Sequence, residues 1–494
     1  MTTPRLPPEI FFIDRNSSRS LQAQIRETVV TSVLSGQARV GAMMPSSRRL
    51  AQHLGIARMT VTLAYQELVA QGYLQSHSRR AYSVAEMDIA DASKSAPGTT
   101  EKSRGVDWGR LLNSSLAKRH RVQKPVDWRR YPYPFAYGQM DSDLFNHTAW
   151  RDCSRQAMGK RDFVEMAGDL ADADDPVLVN YIRARILPRR GINASPDEIL
   201  VTIGAQNALW MIVELLARKP MRAVCENPGY PDVAQALRWR GAEVVPLNID
   251  GDGLPPENIP HGTTAVFVTP SHQAPTGTTM SRDRRETLLA KAHSEDFVVI
   301  EDDYDFEMSF LEAPSPALKS WDRDGRVLYI GSFSKALFPG LRLGYLVGSR
   351  EFIAEARELR TIQLRHPPGH LQRTTAYFLA QGHYDILVTK LRREYSRRRR
   401  EAERTLAGSD VRIAGAATFG GSSLWLKFPN GMDAGELALE LLGHGVLIEP
   451  GAPFFYGPDA PVEFFRLGYS SIPVSKVAPG IERIVNHVAE RGRG

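Results

Sequence analysis

Ser332-Phe333-Ser334-Lys335-Ala336-Leu337-Phe338-Pro339-Gly340-Leu341-Arg342-Leu343-Gly344-Tyr345 decides how this chain is read. The stretch sets one lysine, Lys335, among two small hydroxyl residues, Ser332 and Ser334, with Arg342 further along. Just before it, Val327 to Ile330 is a short apolar run closed by Gly331, the pattern of a buried strand whose end opens into a site. Lys335 is therefore expected on a strand-end loop, where doubly wound α/β sheets place their ligands. A desolvated lysine near other cations loses its proton more easily and can attack a carbonyl to form an imine. The serines and Arg342 suit a dianionic phosphate, so the whole suits a phosphorylated aldehyde.

Outward from this stretch, helical and strand patterns alternate from about Trp108 to the end, which argues for a mostly parallel sheet with helices on both faces. Val201 to Leu209 reads as a strand, a glycine turn and a helix start, and backbone N–H groups at such a helix N-terminus bind anions. Glu226-Asn227-Pro228-Gly229-Tyr230-Pro231 closes the next strand. Phe297 to Ile300 leads into Glu301-Asp302-Asp303-Tyr304-Asp305, so a buried strand delivers several carboxylates to its end. A carboxylate there can keep a nearby ring nitrogen protonated; an acidic patch could instead bind a metal. The histidines lack ligand spacing, because Pro367 and Pro368 interrupt the one i, i+4 pair, His366 and His370. Arg397 to Arg400 reads as a solvated helix face.

A chain of 494 residues exceeds one ordinary core and implies two or three domains. With 42% hydrophobic and 24% charged residues it has an ordinary globular composition. It shows neither a signal-type start nor an apolar run long enough to span a bilayer, so the expectation is a cytoplasmic protein that does not enter a membrane. Cys153 and Cys225, with no CxxC, indicate neither a disulfide framework nor a zinc site.

The net charge of +6 is concentrated at one end: residues 1–84 hold ten arginines and no lysine against four acids, 10 − 4 = +6. A basic segment ahead of a balanced one implies that the first meets a polyanion. Leu21, Ile25, Val29 and Val33 recur at helical spacing; Ser46 can cap a short helix turned at Gly55; a third helix runs from about Arg58 to Ala70. Two short helices around a glycine turn make a helix-turn-helix, and Tyr73 to Gln75 with Ala81 to Val84 read as the strands of a wing. Residues 85–105 turn to Ala, Asp, Ser, Lys, Thr, Gly and Pro without apolar periodicity, a flexible tether with a reach of roughly 25 Å.

Taken together, these motifs resemble the lysine loop and strand-end residues of fold-type I pyridoxal-phosphate (PLP) proteins, the aspartate aminotransferase superfamily. They are most similar to the branch fused to a GntR-type winged helix, the MocR regulators. The resemblance covers about residues 17–84 and 106–490 and implies three parts: a winged helix-turn-helix domain over 1–84, a linker over 85–105, and an aminotransferase-like effector domain over 106–494. The last is α/β, a mostly parallel sheet covered on both faces, with a small C-terminal subdomain. By resemblance Lys335 forms the Schiff base (aldimine) with PLP, while Ala205, Gln206, Ser332, Ser334 and Arg342 hold its phosphate. Tyr230 stacks on the ring, Asp302 meets the ring nitrogen, and Tyr304 meets the phenolic oxygen. Arg466, in Phe464-Phe465-Arg466-Leu467-Gly468-Tyr469, grips the acid group of an amino compound. Arg48, Arg49, Arg58, Thr60, Arg79 and Arg80 meet DNA.

Three departures from the family pattern stand out. Ala57 replaces the usual helix cap before Arg58. Ala274 stands where many aminotransferases carry asparagine, and Met166 to Asp169 lack the tyrosine that reaches a partner subunit's phosphate. The resemblance implies a PLP-dependent transcriptional regulator, a head-to-tail homodimer on double-stranded DNA that senses an amino compound of taurine, γ-aminobutyrate or ectoine type, or PLP itself, with taurine type favoured. The alternatives are an aminotransferase with an incidental DNA-binding extension and a PLP-free scaffold.

Overall fold

A computed structural model describes residues 5–15, 17, 19–34, 37–77, 81–86, 106–112, 124–169, 171–217, 220–311, 315–415, 420–457 and 459–492. The chain divides into two compact units, Met1–Asn113 and Ser114–Gly494. The tether expected over 85–105 lies almost wholly outside the described residues, as do Arg79 and Arg80.

In the first unit, helix α1 (Leu21–Leu34) buries Ile25, Val29 and Val33. Helix α2 (Ser47–Leu54) starts at Ser46, whose Oγ accepts the Arg49 N–H at 3.2 Å, and stops at Gly55, whose φ of 62° few other residues adopt. Helix α3 (Arg58–Ala70) begins at Ala57 with no side-chain cap, as its sequence predicts, and buries Val61, Ala64, Tyr65 and Leu68 against α1 and α2. The Tyr65 hydroxyl donates to the Pro45 carbonyl at 3.1 Å, which locks α3 to the turn ahead of α2. Strands β1 (Leu74–His77) and β2 (Ala81–Val84) form the antiparallel wing, Leu74 opposite Val84.

The second unit is built on a seven-stranded sheet. After a short strand β3 (Tyr133–Pro134), its members are β4 (Ile199–Thr202), β5 (Arg222–Asn227), β6 (Glu243–Asn248), β7 (Ala265–Val268), β8 (Val298–Asp303), β9 (Val327–Ser332) and β10 (Gly344–Val347). Their order is β4-β10-β9-β8-β7-β5-β6, parallel throughout except for β10, which runs antiparallel to both neighbours. The strands are almost continuously apolar because both faces are covered. Ala223 and Cys225 enter one core cluster and Val224 another; Leu328 and Ile330 likewise part from Val327. Both cysteines are buried and unpaired. Strands β11 (Arg412–Ile413), β12 (Ser423–Lys427), β14 (Glu449–Pro450) and β15 (Phe464–Gly468) make a smaller antiparallel sheet, and β13 (Val446–Leu447) pairs with β3.

One reading fails here. The run Arg397 to Arg400 is not a uniformly solvated face: Arg398 and Arg399 are buried in the helix His383–Leu406. Arg398 bonds Asp141 and the carbonyl of Ser470, and Arg399 the carbonyl of Gly420, so these guanidiniums fasten the helix to segments far away in sequence. Between Pro367 and Pro368 the chain is not helical: one helix ends at Leu364 and the next begins at Gly369.

Candidate functional site

The C-terminal ends of β4, β8 and β9 converge on a cavity of about 360 Å³. Ala205, Gln206, Tyr230, Asp302 and Tyr304 line it, and so do Ser332, Ser334, Lys335, Arg342 and Arg466. The residues that the sequence offers in this unit for a cofactor and an acidic ligand are thus neighbours in space.

β9 carries the chain to Ser332, and the buried side chains of Phe333, Ala336 and Leu337 anchor the loop on either side of Lys335. The ammonium lies 4.2 Å from the Tyr137 ring centroid and 5.8 Å from that of Tyr304. Its enclosure, above all, and the nearby Arg466 push its pKa down to about 8, against the pull of Asp305, Glu449 and Asp302. About a tenth of Lys335 is therefore an uncharged nucleophile at pH 7, far more than of an ordinary lysine. Gly138 makes this placement possible: its φ is +68°, and a Cβ there would stand 2.8 Å from Lys335 Nζ.

One end of the cavity is an anion cradle. The helix Ala205–Leu216 points its N-terminus into it behind Gly204, whose φ is +91° and which the Arg342 guanidinium approaches so closely that a Cβ would lie 3.3 Å away. Ser332 and Ser334 are buried beside it, and Ser334 Oγ has no hydrogen-bond partner among the described residues. A buried hydroxyl without a partner is costly, and a bound phosphate oxygen would satisfy it.

At the other end the structure sorts the carboxylates that follow Ile300. Glu301 accepts the backbone N–H groups of Leu318 and Lys319, both at 2.8 Å. Asp303 forms a fully buried ion pair with Arg190 at 2.7 Å and accepts the Tyr329 hydroxyl. Asp305 accepts from Ser422 Oγ at 3.1 Å. Asp302 alone lines the cavity, with Oδ1 unpartnered and its pKa pushed up to about 7 by burial and by Asp303. A cationic ring nitrogen would relieve both conditions, so the donor set fits PLP at each end. Tyr230 hydrogen-bonds Gln206 at 2.8 Å and Asp232 at 3.0 Å, which ties this tyrosine to the cradle. Ala274 is buried in the cavity wall and contributes no polar side-chain atom.

Arg466 is the surprise. On β15 it stands opposite Glu449 of β14, and Glu449 Oε2 accepts from its Nε at 2.9 Å and its Nη2 at 2.8 Å. Both residues are buried; Glu449 Oε1 accepts the Tyr137 N–H at 3.2 Å, and the guanidinium lies over the Tyr137 ring at 3.7 Å. The arginine thus already has an anion on one edge, leaving the Nη1 edge for a ligand. Nothing in the sequence marks Tyr137, Gly138 or Glu449, because each acquires its role from residues far along the chain.

In the first unit, Arg48, Arg49 and Arg58 are exposed and Thr60 is half-buried. Arg58 Nε donates to Ser47 Oγ at 3.2 Å, so the start of α3 is tied to the start of α2. Among the described residues no three His, Cys, Asp or Glu side chains cluster as a metal site, and no helix is long and apolar enough to cross a membrane.

A winged helix followed along the chain by an α/β domain with a lysine-bearing cavity defines a regulator fused to an enzyme-like domain. Residues 159–484 match the family of class I and II aminotransferases, and residues 21–84 match the bacterial regulatory proteins of the gntR family. The chain belongs to both families, as a fusion. It is 48% identical to the HTH-type transcriptional regulator TauR of Rhodobacter capsulatus, over 97% of this chain and 99% of that one. It is also 29% identical to a probable rhizopine catabolism regulatory protein, MocR, of Rhizobium meliloti, over 96% of this chain and 94% of that one. Among solved structures, kynurenine aminotransferase of Pyrococcus horikoshii superposes with a TM-score of 0.69 at 24% identity, covering 78% of this chain and 98% of that one, a likeness of fold. The relatives are regulators, so the regulator reading prevails over the aminotransferase with an incidental extension.

Proposed function

We propose that this protein is a cytoplasmic, PLP-dependent transcriptional regulator that controls DNA binding by capturing an acidic amino compound at Lys335. The convergence of Lys335, the anion cradle, Asp302 and Arg466 on one cavity carries the reading. Bound PLP supplies an aldehyde that takes up primary amines reversibly. Lys335 offers it an uncharged amine; Ala205, Gln206, Ser332, Ser334 and Arg342 hold its phosphate; Tyr230 covers the ring. Asp302 holds the proton on the ring nitrogen, and Tyr304 meets the phenolic oxygen. With the cofactor bound, Lys335 would be the amine that an incoming ligand's amine replaces, and Arg466 would receive that ligand's acid group on the open guanidinium edge.

The overall family resemblance of the chain favours a taurine-type effector, an amine bearing a sulfonate, over γ-aminobutyrate, ectoine derivatives or PLP itself. Residues 1–84 would bind DNA through Arg48, Arg49, Arg58, Thr60, Arg79 and Arg80, with 85–105 as tether and 106–494 as sensor, in a head-to-tail homodimer. The switch is limited to the effector's differential affinity for the two conformations, typically about 1–3 kcal/mol. The test is anisotropy on the protein's own upstream DNA at fixed salt, with and without PLP and candidate amines, wild type beside Lys335→Ala. Binding that shifts with an amine only when Lys335 is present supports the proposal. Absence of specific binding, with steady keto-acid production, refutes it in favour of an aminotransferase.

A further inference from the structure

Helix α3 is apolar on two sides. Val61, Ala64, Tyr65 and Leu68 face the core. Met59 and Leu63 lie one turn apart on the opposite side, 65% and 42% exposed, in line with Gln66 and Ala70. Scattered exposed apolar residues are ordinary. These two occupy the first turns of the helix in a helix-turn-helix of the gntR family, the turns whose side chains reach base edges in the major groove. They are flanked in sequence by exposed Arg58 and, across the turn, by exposed Arg48 and Arg49, in a segment of net charge +6. The surroundings therefore favour a polyanion over an apolar protein partner.

Arg58 is tethered to Ser47, whereas Met59 and Leu63 carry no group that can donate or accept strongly. The one apolar feature the major groove offers is the thymine methyl group. We propose that Met59 and Leu63 are specificity-determining residues that pack against thymine methyls, so that the operator requires thymine at positions the arginines do not read. Gln66, next on the stripe, is suited to adenine, which extends the preference for A·T pairs along the same helix.

The test uses the full-length protein. Its binding sites are selected from a random duplex pool, and each thymine of the consensus is replaced in turn by uracil, which lacks only the methyl group. Wild type should lose about fourfold in affinity at one or two positions per half-site, the worth of one buried carbon. Met59→Ala and Leu63→Ala should each abolish the loss at one such position while leaving the salt dependence unchanged; alanine keeps the helix intact. The proposal is overturned if no consensus emerges, if uracil is tolerated everywhere, or if the variants show the same losses as wild type. A change in oligomeric state without any change at uracil positions would assign the stripe to a protein contact, and would equally overturn it.

Discussion

Replacing Glu449 by glutamine removes the negative charge held against Arg466 at 2.8 and 2.9 Å, and tests whether that arginine receives the effector's acid group. An acid group on the open guanidinium edge would lie about 6 Å from the Glu449 carboxylate, where like charges repel by about 2–3 kcal/mol at an effective dielectric of about 20. Glutamine abolishes that repulsion. It also turns one carboxylate oxygen into a donor facing either Arg466 or the Tyr137 N–H, a local loss of about 1 kcal/mol. The net expectation is affinity for an acidic amine about tenfold tighter. The assay is titration of the PLP-loaded protein with taurine and β-alanine, followed by the cofactor absorbance at constant ionic strength. Arg466→Gln in parallel should weaken binding by at least as much as Glu449→Gln strengthens it. A folded, cofactor-loaded Glu449→Gln protein whose affinity is unchanged or lower would refute the electrostatic reasoning.

Four other outcomes are expected. PLP uptake by the cofactor-free protein should accelerate as pH rises through about 8 and then level off, because burial lowers the Lys335 pKa and only the free base reacts; stopped-flow absorbance that still climbs steeply near the ordinary lysine pKa contradicts this. Arg190→Met strands Asp303 in the interior and should cost about 3–5 kcal/mol in urea unfolding, and a loss under about 1 kcal/mol would show the pair to be dispensable. Gly138→Ala combines an unfavourable φ with a Cβ against Lys335 Nζ and should reduce cofactor occupancy, read from absorbance per protein, without changing DNA affinity in the absence of PLP. Arg48→Ala, at an exposed position beside α3, should lower the slope of log affinity against log salt by about one.

The legible parts of the chain are those whose causes are local. Ser46 and Gly55 mark the ends of α2 because an oxygen cap and a left-handed turn act within four residues. Val327 to Ile330 marks a doubly covered strand because its neighbours on both faces are apolar whatever their identity. Lys335, Asp302 and Arg466 could be named because short motifs surround each of them. Which carboxylate after Ile300 serves the cavity is clear in space, where Arg190 claims Asp303 and the backbone at Leu318 claims Glu301. The arginine run at 397–400 misled for the same reason: Asp141 and the Ser470 carbonyl, partners of Arg398, lie 257 and 72 positions away.

The sequence by itself determined that a basic winged helix precedes an α/β domain with a lysine among hydroxyls on a strand-end loop, since helix periodicity, strand hydrophobicity and such motifs are properties of short segments. Only the tertiary structure decided that Gly138 clears room for Lys335, that Ser334 and Asp302 bring buried atoms without a partner to the cavity wall, and that Arg466 shares its charge with Glu449. Tyr137 and Glu449 stand 312 positions apart, and contacts over such spans depend on how sheets and loops pack, which no local pattern encodes.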